Sequence, residues 1–428
     1  MSKQSQMRLG AFIDKNEISL QTGPFGTQLK AKDYVDCGTP VINVRNIGMG
    51  SIIENVLEYI SDETRDRLAS HILSYQDIVF GRKGAVERHA YISANYDGWF
   101  QGSDCIRMRI ESEQLLPRYV SYCLLTPEHK LWMSNHCSHG ATMASLNQDI
   151  IKLIPITIYD TSTQEKIIEV LSKYDNLIEN NNRRVAILEE MAQRLYREWF
   201  VHFRFPGHER VELVDSELGM IPKGWLSGKI SDIGTVVGGG TPSTKHEEYF
   251  TKKGIPWLTP RDFSKLEYKY VERGSVDITE EGYKKSGAKL MPEGSVVFSS
   301  RAPIGYTSIA VNPLCTNQGF KSIVPNCMAY SEYIFYYLKN NLKLMENYSS
   351  GATFKEISSA QMKEVPILIP PISVCQEFSK MASALGKKEH LLEKKNQTLR
   401  RTHDHLLPRL ISGDVDVSKI ELSSEEGR

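Results

Sequence analysis

The sequence lacks an excess of charge of either sign, because 52 lysine and arginine residues balance 52 aspartate and glutamate residues. Proteins that bind nucleic acid through a broad positive surface usually carry a basic surplus. The balance excludes a polycationic protein, so any contact with DNA has to come from local basic clusters or be shared with a partner. Five acidic and two basic residues lie in the tail at 413–428, so the rest of the chain carries a charge of +3.

The features of membrane and secreted proteins are also missing. No run of about 18 apolar residues is present, as a membrane-spanning helix would need. The first ten residues, MSKQSQMRLG, contain no apolar core of a signal peptide. The seven cysteines are scattered without a CxxC pair, which argues against a zinc knuckle or a disulfide framework. We therefore expect a cytoplasmic protein with no membrane segment.

Motifs of nucleotide-binding and methyl-transferring enzymes are missing as well. The Asn/Asp-Pro-Pro-aromatic motif of adenine methyltransferases is absent, since Ile372 follows Pro370-Pro371. No GxxxxGK[ST] phosphate loop occurs, and residues 238–240 lack the GxGxxG spacing. Residues 393–395, Glu-Lys-Lys, contain a carboxylate and lysines of the kind found in nuclease sites. They lie on a predicted helix, where such residues are typical of a charged, solvated surface. The histidines show no metal-ligand spacing. We expect no catalytic site and no metal site on this chain.

The sequence does contain one stretch of residues in two similar copies. GATMASLNQDIIKLIPI at 140–156 is matched by GATFKEISSAQMKEVPI at 351–367, which lies 211 residues later. Further stretches repeat in the same order: 38–45 with 254–261, 77–80 with 295–298, and Gln101-Gly102 with Gln318-Gly319. A separation of this size is far too long for a solenoid repeat. It predicts two copies of one domain-sized unit.

Each copy begins with short apolar, β-branched runs separated by Gly and Pro, which predict strands and turns. Such runs occur at 40–44, 78–80, 296–298 and 308–311. A long helical stretch follows in each copy. In the first, apolar residues alternate at spacings of four and three from Ile167 to Trp199, with Asn181 in one position. Thr161 or Ser162 is the expected N-cap.

The second helical stretch follows Pro370-Pro371 and carries a poorer seam. Its apolar positions run from Phe378 to Leu410, and three polar residues occupy the remaining positions: Glu389, Asn396 and His403. Heptad spacing predicts that the two helices pack on each other. Equivalent helices related by a pseudo-two-fold axis run antiparallel. The alternative is two unrelated bundle helices.

Together these features predict an α+β fold with two similar mixed α/β domains, separated by two long helices that form an antiparallel coiled coil with a pseudo-two-fold internal repeat. The predicted segments are a first domain at 1–160, a first long helix at 161–205, a second domain at 206–371, a second long helix at 372–412 and an acidic tail at 413–428.

Helices of about 35–40 residues span roughly 50–60 Å. This length is compatible with two DNA segments about one turn, 34–36 Å, apart.

Several phrases resemble those of a known family and occur in its order: residues 23–27, 77–84, 101–104, 197–200, 205–208, 215–225, 239–243 and 406–413. Over nearly its whole length the chain resembles the specificity (S) subunit of a type I restriction–modification system. The resemblance implies two target-recognition domains that each read half of a split, asymmetric site in double-stranded DNA, with the helices as ruler and docking surface.

The same resemblance implies the partners and their chemistry. They are two methyltransferase (M) subunits and two restriction (R) subunits. S-adenosylmethionine, ATP and Mg²⁺ are expected on those partners, with no cofactor on this chain, and the partner would methylate adenine N6. A non-catalytic DNA-recognition subunit is therefore expected.

Polar side chains near strand ends are the candidates for DNA contact in the first domain. Arg, Asn and Gln can read base edges, whereas Lys, Arg, Ser and Thr bind phosphate. The candidates are Arg45, Asn46, Arg82, Lys83, Arg88, Gln101, Ser103 and Thr142. The alternatives are a solvated turn for 45–46 and 82–88, a packed or capping cluster for 101–104, and a plain connector for 138–142.

The second domain offers a different set at related positions. Its candidates are Thr241, Ser243, Lys245, Arg261, Ser300, Arg301, Asn317, Gln318, Lys321 and Thr353. In the repeat, Ser300-Arg301 stands where the first domain has Arg82-Lys83. This difference predicts two different half-sites and hence an asymmetric target.

Two other functions account for part of the pattern. A duplicated coiled-coil scaffold that binds proteins rather than DNA is favoured by the zero net charge. A fragment of a fused, single-chain restriction enzyme would need catalytic sequence beyond this chain.

Overall fold

The computed structural model describes residues 5–139, 144–263, 268–301, 303–350 and 355–420. The chain forms two compact units. The first comprises Met1–Ile178 and Gln397–Arg428 and the second Glu179–Asn396, in each case as far as the described ranges extend. Each unit therefore contains one copy of the repeat, called here the first and second module, together with a part of each long helix.

The first module is built from short strands and short helices. Its strands are β1 (Ser5–Arg8), β2 (Ile18–Thr22), β3 (Tyr34–Val35), β4 (Thr39–Ile42), β5 (Glu58–Ile60), β6 (Ile78–Gly81), β7 (His89–Tyr91), β8 (Phe100–Gln101), β9 (Cys105–Ile110), β10 (Ser138–His139), β11 (Ala144–Ser145) and β12 (Pro155–Ile158). Its helices are α1 (Gly10–Ile13), α2 (Asp62–Arg67), α3 (Pro117–Cys123), α4 (Pro127–His136) and α5 (Gln148–Leu153), and the long helix α6 (Thr161–Tyr196) follows.

The second module has the same kinds of elements. Its strands are β13 (Leu213–Val214), β14 (Ile221–Pro222), β15 (Leu226–Lys229), β16 (Gly234–Gly238), β17 (Phe250–Thr251), β18 (Ile255–Leu258), β19 (Tyr270–Val271), β20 (Val276–Ile278), β21 (Val296–Ser300), β22 (Ile304–Ala310), β23 (Cys315–Thr316), β24 (Lys321–Pro325) and β25 (Pro366–Ile369). Its helices are α7 (Ile230–Ile233), α8 (Pro260–Phe263), α9 (Glu280–Lys284), α10 (Tyr330–Asn340), α11 (Leu342–Asn347) and α12 (Ser359–Glu364), followed by the long helix α13 (Ile372–Ser412).

The sheets of the two modules have the same topology. In the first module a larger sheet has the order β2-β9-β6-β7 and a smaller one β3-β5-β4-β8. The second module repeats them as β16-β24-β21-β22, extended by β19, and β17-β20-β18-β23. The pair β1-β12 is likewise repeated as β15-β25. The predicted duplication and the α+β class are therefore confirmed. The predicted strands are present. The largest difference in bounds is at β22, which is predicted at 308–311 and extends over Ile304–Ala310.

The larger sheet of each module is buried on both faces, which explains its apolar runs. In β6, Ile78 and Phe80 point into a core shared with α3 and the long helices, whereas Val79 faces the smaller sheet. Alternate residues of a strand point to opposite faces. In β21, Val296 and Phe298 face the helices and Val297 the smaller sheet in the same way.

Backbone pairing defines which residues are equivalent and corrects one sequence match. Gln101 pairs with Ile42 across the parallel β4-β8 ladder, and the corresponding β18-β23 ladder pairs Leu258 with Thr316. Thr316 is therefore the structural counterpart of Gln101. The match of Gln101 with Gln318 is wrong by two residues, because ladder hydrogen bonds, and not a shared dipeptide, fix the position of a residue in the sheet.

The long helices pair within each unit along the predicted seam. In the second unit Asn181 bonds Asn396 at 2.8 Å, and Trp199 lies against Phe378 with ring centroids 6.0 Å apart. Position increases along one helix as it decreases along the other, so the pairing is antiparallel. In the first unit residues 161–178 and 397–412 contribute to one core, and the Tyr159 hydroxyl donates to the Ile411 carbonyl at 3.1 Å.

The ends of α6 differ in detail from the prediction. Asp160 caps its N-terminus, because its carboxylate accepts the Thr163 N–H at 2.8 Å and the Thr163 hydroxyl at 3.0 Å. The expected cap at Thr161 or Ser162 is therefore wrong by one or two residues, since both already belong to the helix. At the other end a π-helical turn, Arg197–Val201, precedes the stop at 205–207. None of the described helices has both the length and the apolar character needed to cross a membrane.

The three polar residues of the second seam are buried, and two of them face polar partners. Asn396 accepts from Asn181 and donates to Asn182, each at 2.8 Å. His403 lies 3.7 Å from the Asp175 carboxylate within the first unit. Buried polar pairs at seam positions specify register at some cost in stability. These layers explain how a seam with few apolar residues still selects one alignment.

Glu389 occupies the third polar position and lies in a crowded acidic environment. Burial raises its pKa from 4.5 to about 7, with Lys269 opposing the shift and Glu189, Glu393 and Glu332 adding to it. Lys269 is already engaged, because its ammonium lies 2.9 Å from the Glu332 carboxylate. Glu389 is therefore left to hold a proton near neutral pH.

Replacing the seam asparagines tests the register layer. Asn181→Leu removes the donor that the Asn396 side-chain amide oxygen accepts from, so we expect a loss of about 1–3 kcal/mol in the free energy of unfolding. In Asn181→Leu/Asn396→Leu both polar groups are gone, and most of this loss should be recovered. Urea unfolding of the four chains of the cycle measures the coupling; additive losses would show that the two side chains do not act as a pair.

The Glu389 carboxyl predicts a pH-dependent stability. Its pKa is higher in the folded chain than the unfolded value of 4.5, so the folded state binds the extra proton, and this contribution is lost as pH rises through about 7. Glu389→Gln should therefore raise the free energy of unfolding at pH 8 by up to about 3 kcal/mol, which also raises the unfolding midpoint. At pH 5 both should change little. Glu377→Gln, an exposed change on the same helix, is the control. An equal effect of Glu389→Gln at both pH values would contradict the assignment.

Candidate nucleic-acid interface

The sequence-predicted residues of the first module collect at one edge of its larger sheet. Antiparallel pairing places the end of β2 beside the start of β9 and the start of β9 beside the end of β6. The loops that follow β2 and β6 therefore meet the loop that precedes β9. We call this set of loops, residues 23–28, 43–46, 82–88 and 101–104, the first edge.

A glycine at the end of β2 allows these loops to approach closely. A Cβ atom at Gly23 would lie 2.0 Å from the Gly102 carbonyl oxygen, a distance that no side chain tolerates. Gly239 plays the same part in the second module, where a Cβ would lie 2.2 Å from the carbonyl oxygens of Thr316 and Asn317. This contact explains why both modules carry a glycine-rich phrase at this point.

The turn after β6 presents Arg82 and Lys83 from a fixed backbone. The Arg82 N–H donates to the Asp104 carbonyl at 2.9 Å, and the Arg82 carbonyl accepts from the Leu146 N–H at 2.8 Å. The Arg82 side chain is half-buried, that of Lys83 is exposed, and Lys83 lies 3.2 Å from the Asp104 carboxylate. Two cationic side chains at a clamped strand end are suited to phosphate or guanine contacts. Arg88 lies further along the same loop and is exposed.

Arg45 reaches the first edge from the short turn after β4. Its guanidinium lies 2.8 Å from the Glu58 carboxylate, which also accepts a hydrogen bond from the Asn43 amide at 2.6 Å. Both members of the ion pair are exposed. The Arg45 guanidinium is thus accessible to a ligand, although it already forms an ion pair with Glu58.

Three candidate side chains are buried, and their predicted contacts with DNA are corrected. The Asn46 amide donates to the Ile53 carbonyl at 2.9 Å and accepts the Asn43 N–H at 3.1 Å, so it shapes its own turn. The Gln101 amide donates to the carbonyls of Gln21 and Cys105. The Ser300 hydroxyl donates to the Gly319 carbonyl at 3.1 Å. Because these atoms are enclosed by the chain, they support the edges and do not reach a ligand.

The second edge contains a tight group of three charges. It is formed by residues 239–245 and 300–301 at the ends of β16 and β21, by 316–321 between β23 and β24, and by 355–357 ahead of α12. Lys321 and Arg301 both approach the Glu356 carboxylate, at 3.2 and 3.4 Å. The turn that carries Arg301 is clamped as in the first module, since the Ile357 N–H donates to the Ser300 carbonyl at 3.1 Å.

The remaining candidates of the second edge are distributed around this group. The Thr241 hydroxyl donates to the exposed Gln318 amide, and the Asn317 amide oxygen accepts the Gly319 N–H at 2.9 Å within its own turn. Ser243, Lys245 and Arg261 are exposed on the adjacent loop and on α8.

The contacts described above do not include three of the residues predicted to bind DNA. Ser103 is half-buried at the first edge, and the structure assigns it no hydrogen-bond partner among the described residues. Thr142 and Thr353, from the repeated phrase, lie outside the described residues.

Sequence reasoning missed the acids that pair with the predicted cations and one exposed aromatic ring. Glu58 and Glu356 stand 13 and 55 residues from Arg45 and Arg301, so no local pattern joins them. The balanced net charge was the only available signal. Phe25, in the loop after β2, is among the most exposed large apolar side chains.

The titratable groups beneath the first edge are held neutral. Burial, together with the nearby His129 and Arg118, lowers the pKa of His89 to about 3, and its Nε2 lies 2.9 Å from the Ser121 hydroxyl. Burial raises the pKa of the Cys105 thiol to about 12. Among the residues that the structure describes, no group of three or more His, Cys, Asp or Glu side chains is arranged to hold a metal ion.

Relatives and solved structures are similar to this chain over different lengths. The MjaIX specificity subunit of Methanocaldococcus jannaschii is 41% identical over 201 residues, which cover 46% of this chain and 45% of that protein. The chain thus spans under half the length of this relative. The putative MjaX specificity subunit of the same organism is 23% identical over 401 residues, covering 91% and 90%.

A crystal structure of a type I restriction–modification S subunit from M. genitalium has the same fold. It matches with a TM-score of 0.59 at 13% identity and covers 96% of each chain. The family model described as the type I restriction modification DNA specificity domain matches residues 26–190 and again residues 222–401. Because these two matches cover most of the sequence, the chain belongs to the type I restriction modification DNA specificity family, whose domain it contains twice.

Proposed function

We propose that each module reads one half of a split, asymmetric DNA target. The observation that carries this proposal is the pair of equivalent edges with different side chains. Arg82-Lys83 and Ser300-Arg301 follow equivalent strands and are clamped by equivalent backbone hydrogen bonds. A scaffold that is repeated while its exposed side chains differ is suited to reading two different sequences.

The chemistry of each edge supports contact with a duplex. Arginine binds guanine edges through two donors, and lysine or arginine binds phosphate. The first edge offers Arg45, Arg82, Lys83 and Arg88. The second offers Arg301 and Lys321, with the exposed Gln318 amide as a further reader of base edges.

We propose that the long helices act as ruler and docking surface for two methyltransferase and two restriction subunits. Large apolar side chains are exposed on both helices outside the seam: Leu177, Ile187, Met191, Met381 and Leu391. Exposed apolar side chains that recur along one element favour contact with another protein. The domain repeat, which the family model matches twice, supports two copies of each partner.

Catalysis is proposed to reside on those partners. They would hold S-adenosylmethionine, ATP and Mg²⁺ and methylate adenine N6, while this chain selects the site. The missing methyltransferase and phosphate-loop motifs support this division of work. Membership of a DNA-specificity family favours DNA over the alternative of a scaffold that binds only proteins.

Mapping of methylated adenines in cells tests the proposed function. The chain is expressed with a methyltransferase partner in cells that lack other adenine methylation, and the modified positions are located by sequencing. We expect a split motif with an unspecified middle segment. A continuous motif, or methylation that is the same without this chain, would contradict the proposal.

Substitution at one edge should affect one half-site. Arg82→Ala/Lys83→Ala removes a guanidinium that can donate two hydrogen bonds to a base and an ammonium that can bind phosphate. Binding should therefore weaken about 10- to 100-fold. The loss should appear with duplexes that contain the half-site assigned to the first module. Competition between duplexes mutated in either half measures this effect, and Arg301→Ala is the matched variant for the other half. Equal loss of discrimination at both halves would contradict separate reading.

A further inference from the structure

Two cations of the first edge form ion pairs with acids, one from the start of β5 and one from the edge itself. Arg45 lies 2.8 Å from Glu58, and Lys83 lies 3.2 Å from Asp104. The partners are far apart in sequence and are brought together by the fold. All four side chains are exposed or close to it, so the pairs are accessible to solvent and to a ligand.

At the second edge one acid holds two cations. Glu356 lies 3.2 Å from the Lys321 ammonium and 3.4 Å from the Arg301 guanidinium. Lys321 is only 13% exposed, and its ammonium also lies 3.3 Å from the Gln318 carbonyl oxygen. Glu356 therefore holds Lys321 in place while cancelling one of two positive charges.

Stability does not explain why acids stand at these positions. The pairs Arg45–Glu58, Lys83–Asp104 and Arg301–Glu356 join exposed side chains. Such pairs contribute little to folding, because water screens them and the side chains lose freedom. Their effect on DNA binding is larger. Affinity for DNA of any sequence comes mainly from cations that replace the counterions condensed on phosphate. A cation already held by a carboxylate has to exchange one anion for another, and the free carboxylate then repels the phosphates.

We propose that Glu356 is a specificity-determining residue, and that Glu58 and Asp104 play the same part at the first edge. The carboxylates keep the edge cations occupied and so lower affinity for DNA of unrelated sequence. On the correct half-site, base contacts add the free energy needed to separate the ion pairs. This inference rests on the proposed function, and it gives the zero net charge of the chain a role in discrimination.

Glu356→Gln tests the inference, since it removes the charge and retains nearly the same shape. The full chain, assembled with its methyltransferase partner, is titrated with a duplex that carries the mapped target and with one that lacks it, at several salt concentrations. With unrelated DNA we expect affinity to rise about 3- to 10-fold. The slope of log affinity against log salt should steepen by about 0.9 for each cation released to contact phosphate. The ratio of specific to unrelated binding should fall.

A matched control separates this local effect from a general change of charge. Glu212→Gln removes one acid from another exposed ion pair of the second unit, with Lys223 at 3.2 Å on the β13-β14 hairpin. It should leave the salt slope and the specificity ratio unchanged. If it raises affinity for unrelated DNA as much as Glu356→Gln does, overall charge is responsible and the inference is overturned.

The remaining outcomes are also decisive. If Glu356→Gln lowers specific affinity without raising affinity for unrelated DNA, the carboxylate contacts the target directly and the inference is wrong. No change in slope or ratio overturns it as well. Asp104→Asn repeats the test at the first edge should Glu356→Gln fold poorly. Failure of the unmodified assembly to discriminate between the duplexes would instead refute the proposed function.

Discussion

The edges of both modules depend on one close approach between backbone segments. The chain leaving β2 passes over residue 102, and the chain leaving β16 passes over residues 316–317, at distances that only glycine permits. A side chain at Gly23 or Gly239 would push these loops apart. The strand-end turns at 82–83 and 300–301 are then held next to them by main-chain hydrogen bonds. Polar residues from distant parts of the chain are thereby presented together.

Charge neutrality is compatible with the proposed DNA recognition, because the position of each charge matters and not only the net charge. Each edge holds its cations against carboxylates a few ångströms away. Under the proposed function, such an edge would contribute little to unspecific binding, and sequence-dependent contacts would decide which DNA is held. The buried amides of Asn46 and Gln101 contribute indirectly, since they fix the turns that carry the exposed side chains.

The long helices show a related use of polar groups. Their seam contains Asn181, Asn396, His403 and Glu389 in place of apolar residues, and each is buried. The Asn181–Asn396 pair lowers stability but penalises every other alignment, since a shifted helix would leave these two amides without partners. A helix pair with the proposed role of a ruler needs one register more than it needs maximal stability.

The sequence alone determined the duplication, the fold class and the positions of the long helices, because these depend on local periodicity and on ordered repetition. α13 begins and ends at the predicted residues, and the heptad positions from Ile167 to Trp199 are the buried or half-buried ones. It also located the strand-end turns at 82–83 and 300–301, since Gly81-Arg82-Lys83 follows one apolar run and Ser299-Ser300-Arg301 follows the other.

Only the tertiary structure decided which polar residues are exposed and which acids face them. Gln101 and Gln318 look alike in sequence, yet one is buried between strands and the other is exposed, because ladder pairing shifts the second by two positions. Glu356 approaches Lys321 and Arg301 through contacts that span 35 and 55 residues. Long-range pairing of this kind follows from strand order, and no local pattern of residues encodes it.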